Sequence, residues 1–327
     1  MFAKTITATA VAALATALTA TAGLAQQELA ASIDGPVETG QGQGLVRFGE
    51  ILEDLTDGAL TVRVFPNGQL GTGAEIFELM EAGQVAMVTT APGYLAEFAP
   101  QVQALVVPFV FRDFEHWESV VSGPLGEEIA QIVADETDAL VLGYFGGSIR
   151  NLVSSQPVET AADMEGLRVR LHPAAVQVKA WEALGVVPTV MAYGEIYSGL
   201  QLGVVDGLEN EAEWVLRMKF YEQAPTYVQT EHEFVTRPLM FSQQVFDGLT
   251  PEQQEAVMEA GRQASAYQRE LEHQFDTESK VTLRDEHGVS LVEVDKAAIQ
   301  ADVSAALEPV IAELGLGDMV ERIRAAQ

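Results

Sequence analysis

Two arginines stand apart from the charge of this chain. The sequence holds 18 lysines and arginines against 48 aspartates and glutamates. Yet the stretch GGSIRNLVSSQPVETAADMEGLRVR carries Arg150, Arg168 and Arg170. A guanidinium is a planar fork of donors that can hold a carboxylate by two parallel hydrogen bonds. Arg150 follows the β-rich run ALVLGYF and the flexible pair Gly146-Gly147, and Arg170 lies in or at the end of LRVRL. Within a strand, Arg168 and Arg170 point the same way and Val169 the other. In open α/β sheets ligands bind beyond the carboxyl ends of strands. Two readings follow. Either the arginines are surface ion-pair partners, or Arg150 and Arg170 converge on one bound anion.

The acids offer a second constellation. DGLENEAEW brings Asp206, Glu209, Glu211 and Glu213 close together. That pattern suits a carboxylate pair for acid–base work, a site for a hard cation, or chance clustering in an acidic chain. Enzyme signatures are otherwise missing: there is no HExxH, GxSxG, Walker loop or GxGxxG after a strand. His116, His172, His232, His273 and His287 are scattered, and none pairs with another at metal-ligand spacing.

The elements that must position these residues alternate. LVRFGEILEDLTDGAL has apolar residues at helical spacing and Gly58 at its stop. LTVRVFP alternates as a strand. TGAEIFELMEAGQ is a short helix with Thr72 and Glu75 at capping-box spacing, and VAMVTT is a strand. ALVVPFVF contains Pro108 and is expected as an edge or bent segment. HWESVVSGPLGEEIAQIVADET is helical with a break at Gly123-Pro124, and ALVLGYF is a strand. The pattern repeats through LRVRL, PAAVQVKAWEALG, VPTVM, YGEIYSGLQLG and VVDGLE. EHEFVTRPLMFSQQVF is β-rich and could cross back into the first domain. After it comes the clearest helix. Thr250 caps it, Pro251 is its first residue, Gln253 completes a capping box, and it runs to about residue 286. At 1.5 Å per residue that is about 54 Å, longer than one small domain is wide. VSLVEVD and AAIQADVSAALEPVIAELG close the chain as strand and helix. Strand–helix–strand repeats imply an α/β protein with parallel strands and helices on their faces.

Composition bounds the partners. A formal charge of −30 is wrong for nucleic acid or an anionic membrane surface. A chain of 327 residues that is 48% hydrophobic can bury a large core and suggests two domains. Lys4, the uncharged run ITATAVAALATALTATAGLA and the small residues Gly23 and Ala25 form the pattern of a cleaved export signal over residues 1–25. No later segment is long and apolar enough to span a bilayer. The absence of cysteine excludes disulfides, thiolate metal sites and a lipoprotein anchor. Export without a lipid anchor fits a periplasm.

Longer blocks carry a family resemblance. VFPNGQLGTGAEIFELMEAGQVAMVTTAPGYLAEFAP, VVPFVFRDFEH, IRNLVSSQPVETAADMEGLRVRL, MAYGEIYSGLQLGVVDGLEN and LTPEQQEAVMEAG resemble the DctP-type extracytoplasmic solute-binding proteins of TRAP transporters, across residues 60–294. The block over residues 195–210 is the most specific. The resemblance implies a two-domain, periplasmic-binding-protein-like α/β fold, with crossing strands and a long helix spanning both domains and a ligand in the cleft between them. The expected limits are residues 26–147 with about 236–275, and 148–235 with about 276–327. It implies that Arg170 forms the salt bridge to a ligand carboxylate, with Arg150 as second arginine and Asn210 and Tyr193 as further contacts. Glu209, Trp214, His172 and Tyr94 complete the expected site. The implied partners are a small organic acid and the TRAP membrane permease.

There are departures. Glu211 stands where the family usually has proline, His172 stands where a proline or small polar residue is more frequent, and LAASIDGPVETGQGQG matches poorly. Glu213-Trp214 resembles the subgroup that holds a small oxo acid through a metal ion, so a divalent or sodium ion is an alternative at that pair. The expected function is capture of an organic acid without catalysis. The alternatives are a ligand-sensing subunit of the same fold and a secreted hydrolase using Glu209 and Glu213.

Overall fold

The computed structural model describes residues 26–71, 74–96 and 98–327. The export signal at residues 1–25 and the Thr72 cap lie outside them. Two long strands organise the rest. β4 (Ala139–Ser154) and β8 (Thr226–Ser242) pair antiparallel along most of their lengths. The other strands are β1 (Gln27–Ser32), β2 (Leu60–Phe65), β3 (Met87–Thr89), β5 (Arg168–Leu171), β6 (Val187–Val190), β7 (Gly207–Asn210) and β9 (Ser290–Glu293). The sheet order is β2-β1-β3-β8-β4-β7-β5-β6, with β9 beside β8.

The registers fix where a ligand can sit. β1, β2 and β3 form one parallel block, joined to β8 where Met87 to Thr89 face Phe241 to Leu239. β5, β6 and β7 form a second, joined to β4 where Asn151 to Ser154 face Asn210 to Gly207. Followed along β4, the two blocks run in opposite directions. Their carboxyl ends therefore point at each other across the middle of β4 and β8. Ligand sites of α/β sheets lie at such ends, and here two sets share one cleft.

Helices cover both faces. α1 (Gly40–Leu55) and α9 (Pro251–Asp285) bury Leu45, Phe48, Leu52, Val257, Ala260 and Ala264 against the first block. α6 (Ile196–Gln201) and α7 (Ala212–Arg217) bury Ile196 and Val215 with Leu208, Tyr227 and Leu283 of α9. On the opposite face lie α2 (Ala74–Glu81), α3 (Phe114–Val121), α4 (Pro124–Glu136), α5 (Ala175–Ala183), α10 (Lys296–Glu313) and α11 (Gly317–Ala325), around Trp117, Trp181 and Ile299. The short α8 (Gln243–Asp247) follows β8.

The long helix forms as its sequence requires. Thr250 Oγ1 accepts from the Gln253 backbone N–H, and Gln253 Oε1 accepts from Thr250 N in return. Its apolar face serves both clusters. Between them its buried face is polar: Ser265, Gln268, Glu272, Asp276 and Ser279. There it grips a register shift of β4 between Gly146 and Ile149. Gln268 Oε1 accepts from Gly146 N at 2.8 Å, and Glu272 Oε1 from Ser148 Oγ at 2.6 Å. Gly146 sits at φ 132°, where a side chain would run into the Val235 carbonyl.

Three local readings differ, and at ALVVPFVF the bent segment holds over the edge strand. ALVVPFVF is no strand: Pro100–Val106 wind as a 3₁₀ turn, and Phe109 at φ 60° donates its amide to the His232 carbonyl. Arg150 lies inside β4 rather than after it, because the strand resumes beyond the Gly146 shift. β1 was not expected. Nor was α11. Assigned with the second lobe, the closing residues bond the α3–α4 side instead: Arg112 donates to the Arg324 and Ala326 carbonyls, and Arg322 to Glu128. No helix among the described residues is long and apolar enough to cross a membrane.

Candidate functional site

Where the two sets of strand ends meet lies a small cavity of about 40 Å³. One wall comes from the first block: Asp34 just past β1, Gln41 in the first turn of α1, Thr89 and Thr90 at the end of β3, and Tyr94 in the following turn. The other comes from the second: Arg170 and His172 from β5 and its exit, Tyr193 before α6, and Trp214 on α7. The crossing strands supply the floor, Arg150 from β4 and Arg237 from β8.

The three arginines are not equivalent. Arg150 donates Nε to the Glu209 carboxylate, NH2 to the Glu209 carbonyl at 2.8 Å and NH1 to Glu211 at 3.1 Å. Burial works against its charge, but Glu209 and Glu211 outweigh that and hold the guanidinium charged. Arg237 donates NH2 to Glu211 at 2.7 Å. Its Nε and NH1 are 2.9 and 2.7 Å from the Gln41 amide oxygen, and its plane lies 5.5 Å from the Trp214 ring centre. Arg170 is different. It is 2% exposed, donates Nε to the Met191 carbonyl at 3.0 Å, and has no carboxylate within 4.0 Å among the described residues. Its guanidinium carbon lies 5.5 Å from the centre of the Tyr193 ring, and the Tyr94 hydroxyl and Asp34 carboxyl also face it. A buried cation without a close ion pair is costly, and an anion would supply one.

The walls also carry polar atoms without partners. Thr89 Oγ1, His172 Nδ1 and Trp214 Nε1 are buried and make no hydrogen bond. Burial, aided by the three arginines and opposed by Glu209, holds His172 down at about 3, so its imidazole is neutral. Asp34 lines the cavity without a side-chain hydrogen bond or ion pair among the described residues. Burial pushes its carboxyl up to about 6, against the pull of Arg237 and Arg170. Tyr193 and Trp214 meet edge to face at 5.2 Å. The backbone of Gly35 lies against the indole so closely that a Cβ would overlap the ring. Gly35→Ala is therefore expected to displace Trp214 and weaken ligand binding about tenfold. Titration calorimetry reads the affinity, and unchanged affinity would show that the indole plays no part.

Of the residues singled out from sequence, Arg150, Arg170, His172, Tyr193, Trp214 and Tyr94 line this cavity. Glu209 and Asn210 do not. Glu209 stands behind Arg150, and Asn210 donates to the Tyr193 hydroxyl at 3.0 Å. Asp34, Gln41, Thr89, Thr90 and Arg237 went unnoticed. A signal existed for Arg237 alone, an arginine inside the apolar run EFVTRPLMF.

Glu213 and Trp214 diverge. Both Glu213 oxygens accept from Gly40 N, at 3.0 and 3.1 Å, at the head of α1, while the indole faces the cavity. Among the described residues no group of three or more histidines and acids is arranged to hold a metal. Nor do Glu209 and Glu213 face a common space as a hydrolytic pair would. Burial, then the nearby Glu272, pushes Glu213 up to about 8. The folded chain thus keeps a proton that the unfolded chain releases near 4.5, and stability falls as pH rises from there to about 8. Glu213→Gln removes that slope. Its Tm advantage over the parent should widen by about 1 kcal/mol, roughly 2–4 °C, per pH unit between pH 5 and 8, then level off. A pH-independent difference by calorimetry would mean that Glu213 is ionised in the fold.

The geometry can be set against known proteins. The family model for bacterial extracellular solute-binding protein, family 7 (DctP), matches residues 32–316. A solute-binding protein of Sulfitobacter sp. NAS-14.1 is 34% identical over 283 residues, 86% of each chain. A TRAP periplasmic solute-binding protein of Xanthobacter autotrophicus Py2, solved with β-D-galacturonate, superposes with a TM-score of 0.86 at 30% identity, over 92% of this chain and 100% of its own. One from Roseobacter denitrificans OCh 114, solved with L-galactonate, does so at 0.82 and 32%, over 88% and 98%.

Proposed function

The chain belongs to bacterial extracellular solute-binding protein family 7, and from its cavity we propose that the solute is a sugar acid held by its carboxylate on Arg170. It is a TRAP-type solute-binding protein, and carboxylate ligands fit it. The observation that carries the reading is the buried Arg170 guanidinium, which has no ion pair within 4.0 Å among the described residues. In this reading Arg170 is the direct anchor. Arg150 completes the clamp from the floor, fixed by Glu209 and Glu211. Thr89, His172 and Trp214 supply donors and acceptors for hydroxyls, and the Tyr193–Trp214 wall takes an apolar face of the sugar. The ligands named for the Xanthobacter and Roseobacter proteins support the class.

Two lobes, residues 26–147 with 236–275 and residues 148–235 with 276–316, are proposed to close on the ligand about the crossing strands, with α11 bonded to the first lobe at Arg112 and Glu128. The register shift at Gly146 and the polar grip of α9 on it suit a hinge. The loaded protein then delivers an unaltered solute to the TRAP permease from the periplasm. The test is titration calorimetry of residues 26–327 with hexuronates, aldonates and hydroxyl-free acids of equal charge. Tight binding of a hydroxylated acid alone is expected. Equal affinity for the hydroxyl-free acids would overturn the sugar-acid reading.

A further inference from the structure

We propose that Asp34 selects against a second carboxylate, restricting the cavity to sugar acids that carry one. The inference rests on the sugar-acid reading and deepens it. Arg170 and Asp34 enter from opposite walls, β5 and β1, which stand five strands apart in the sheet order. Each lacks an ion pair within 4.0 Å among the described residues. The cavity therefore offers one free cation and one free acid. Arg237 pulls on Asp34 from a distance but makes no bond to it, since its donors go to Glu211 and Gln41. A carboxylate only accepts hydrogen bonds. Asp34 can thus take hydroxyl protons from a ligand anchored on Arg170, but it repels a carboxylate at the ligand's other end. Its upward shift to about 6 leaves it an anion at pH 8. Two unit charges about 5 Å apart, at an effective dielectric constant near 20, give an exclusion of about 100-fold.

The experiment compares D-galacturonate and L-galactonate with galactarate, which is either molecule with its other end oxidised to a second carboxylate. Affinities are measured by calorimetry at pH 8 for the parent chain, Asp34→Asn and Asp34→Ser. The parent should bind one monocarboxylate about 100-fold more tightly than galactarate. In both variants the ratio should fall below about tenfold, chiefly because galactarate gains. If neither monocarboxylate binds the parent, the sugar-acid reading falls and this inference with it. If the parent takes galactarate within tenfold of the better monocarboxylate, the reading stands and the inference fails. If a folded variant keeps the full exclusion, Asp34 is not its source. The parent comparison does not depend on either variant folding.

Discussion

Arg170→Ala is expected to abolish sugar-acid binding while the ligand-free protein melts within a few degrees of the parent. Both halves follow from one fact: among the described residues Arg170 makes no ion pair within 4.0 Å. Its removal breaks no close ion pair, so the fold loses the Met191 hydrogen bond, the Tyr94 and Tyr193 contacts and a pull on Asp34. The ligand loses far more. Its carboxylate would be desolvated without a partner, and breaking a buried charge pair from one side costs about 3–5 kcal/mol, roughly 10²–10⁴ in affinity. Arg170→Lys keeps the charge but loses the fork and the Nε–H that fixes its plane on Met191. Affinity should fall about 10–100-fold. Calorimetric titration with the best ligand of the parent decides it. Retention within a few-fold in Arg170→Ala would remove Arg170 as anchor.

What could be read in advance depended on how far a residue's role is local. The α9 cap, its length and the strand at LRVRL follow from neighbouring side chains, and these were legible. β1 was not, because its run of alanine and serine is covered on both faces and shows no alternation. Asp34 was lost with it. Arg237 was hidden for another reason. Its role comes from Glu211, Gln41 and Trp214, which reach it from other elements. The opposite error befell Glu209 and Asn210. They share a motif with the site, yet they support Arg150 and Tyr193 rather than line it. Motifs report which residues travel together, not which of them faces the ligand.

The two arginines that looked alike in sequence should therefore fail differently, and Arg150→Met tests it. Arg150 donates to the Glu209 carboxylate, the Glu209 carbonyl and Glu211. Methionine leaves these buried acceptors unpaired, with Glu209 and Glu211 both 0% exposed. The expected cost is about 3–5 kcal/mol, a Tm loss on the order of 10 °C. The pH dependence carries the sign. Burial tends to raise Glu209, but Arg150, with His232 and His172 nearby, holds it well below its ordinary 4.5. In the parent its contribution is thus present above 4.5 and lost as pH falls through the depressed value. Without Arg150, burial is opposed by only the nearby His232 and His172, and Glu209 takes up a proton at higher pH. The Tm deficit of Arg150→Met should accordingly be larger at pH 8 than at pH 5. Adding Glu209→Gln should recover part of it, a non-additivity that only contacting residues show. A small deficit that ignores pH and Glu209→Gln would mean that Arg150, like Arg170, is a cation waiting for a ligand, and the clamp would then have two direct jaws.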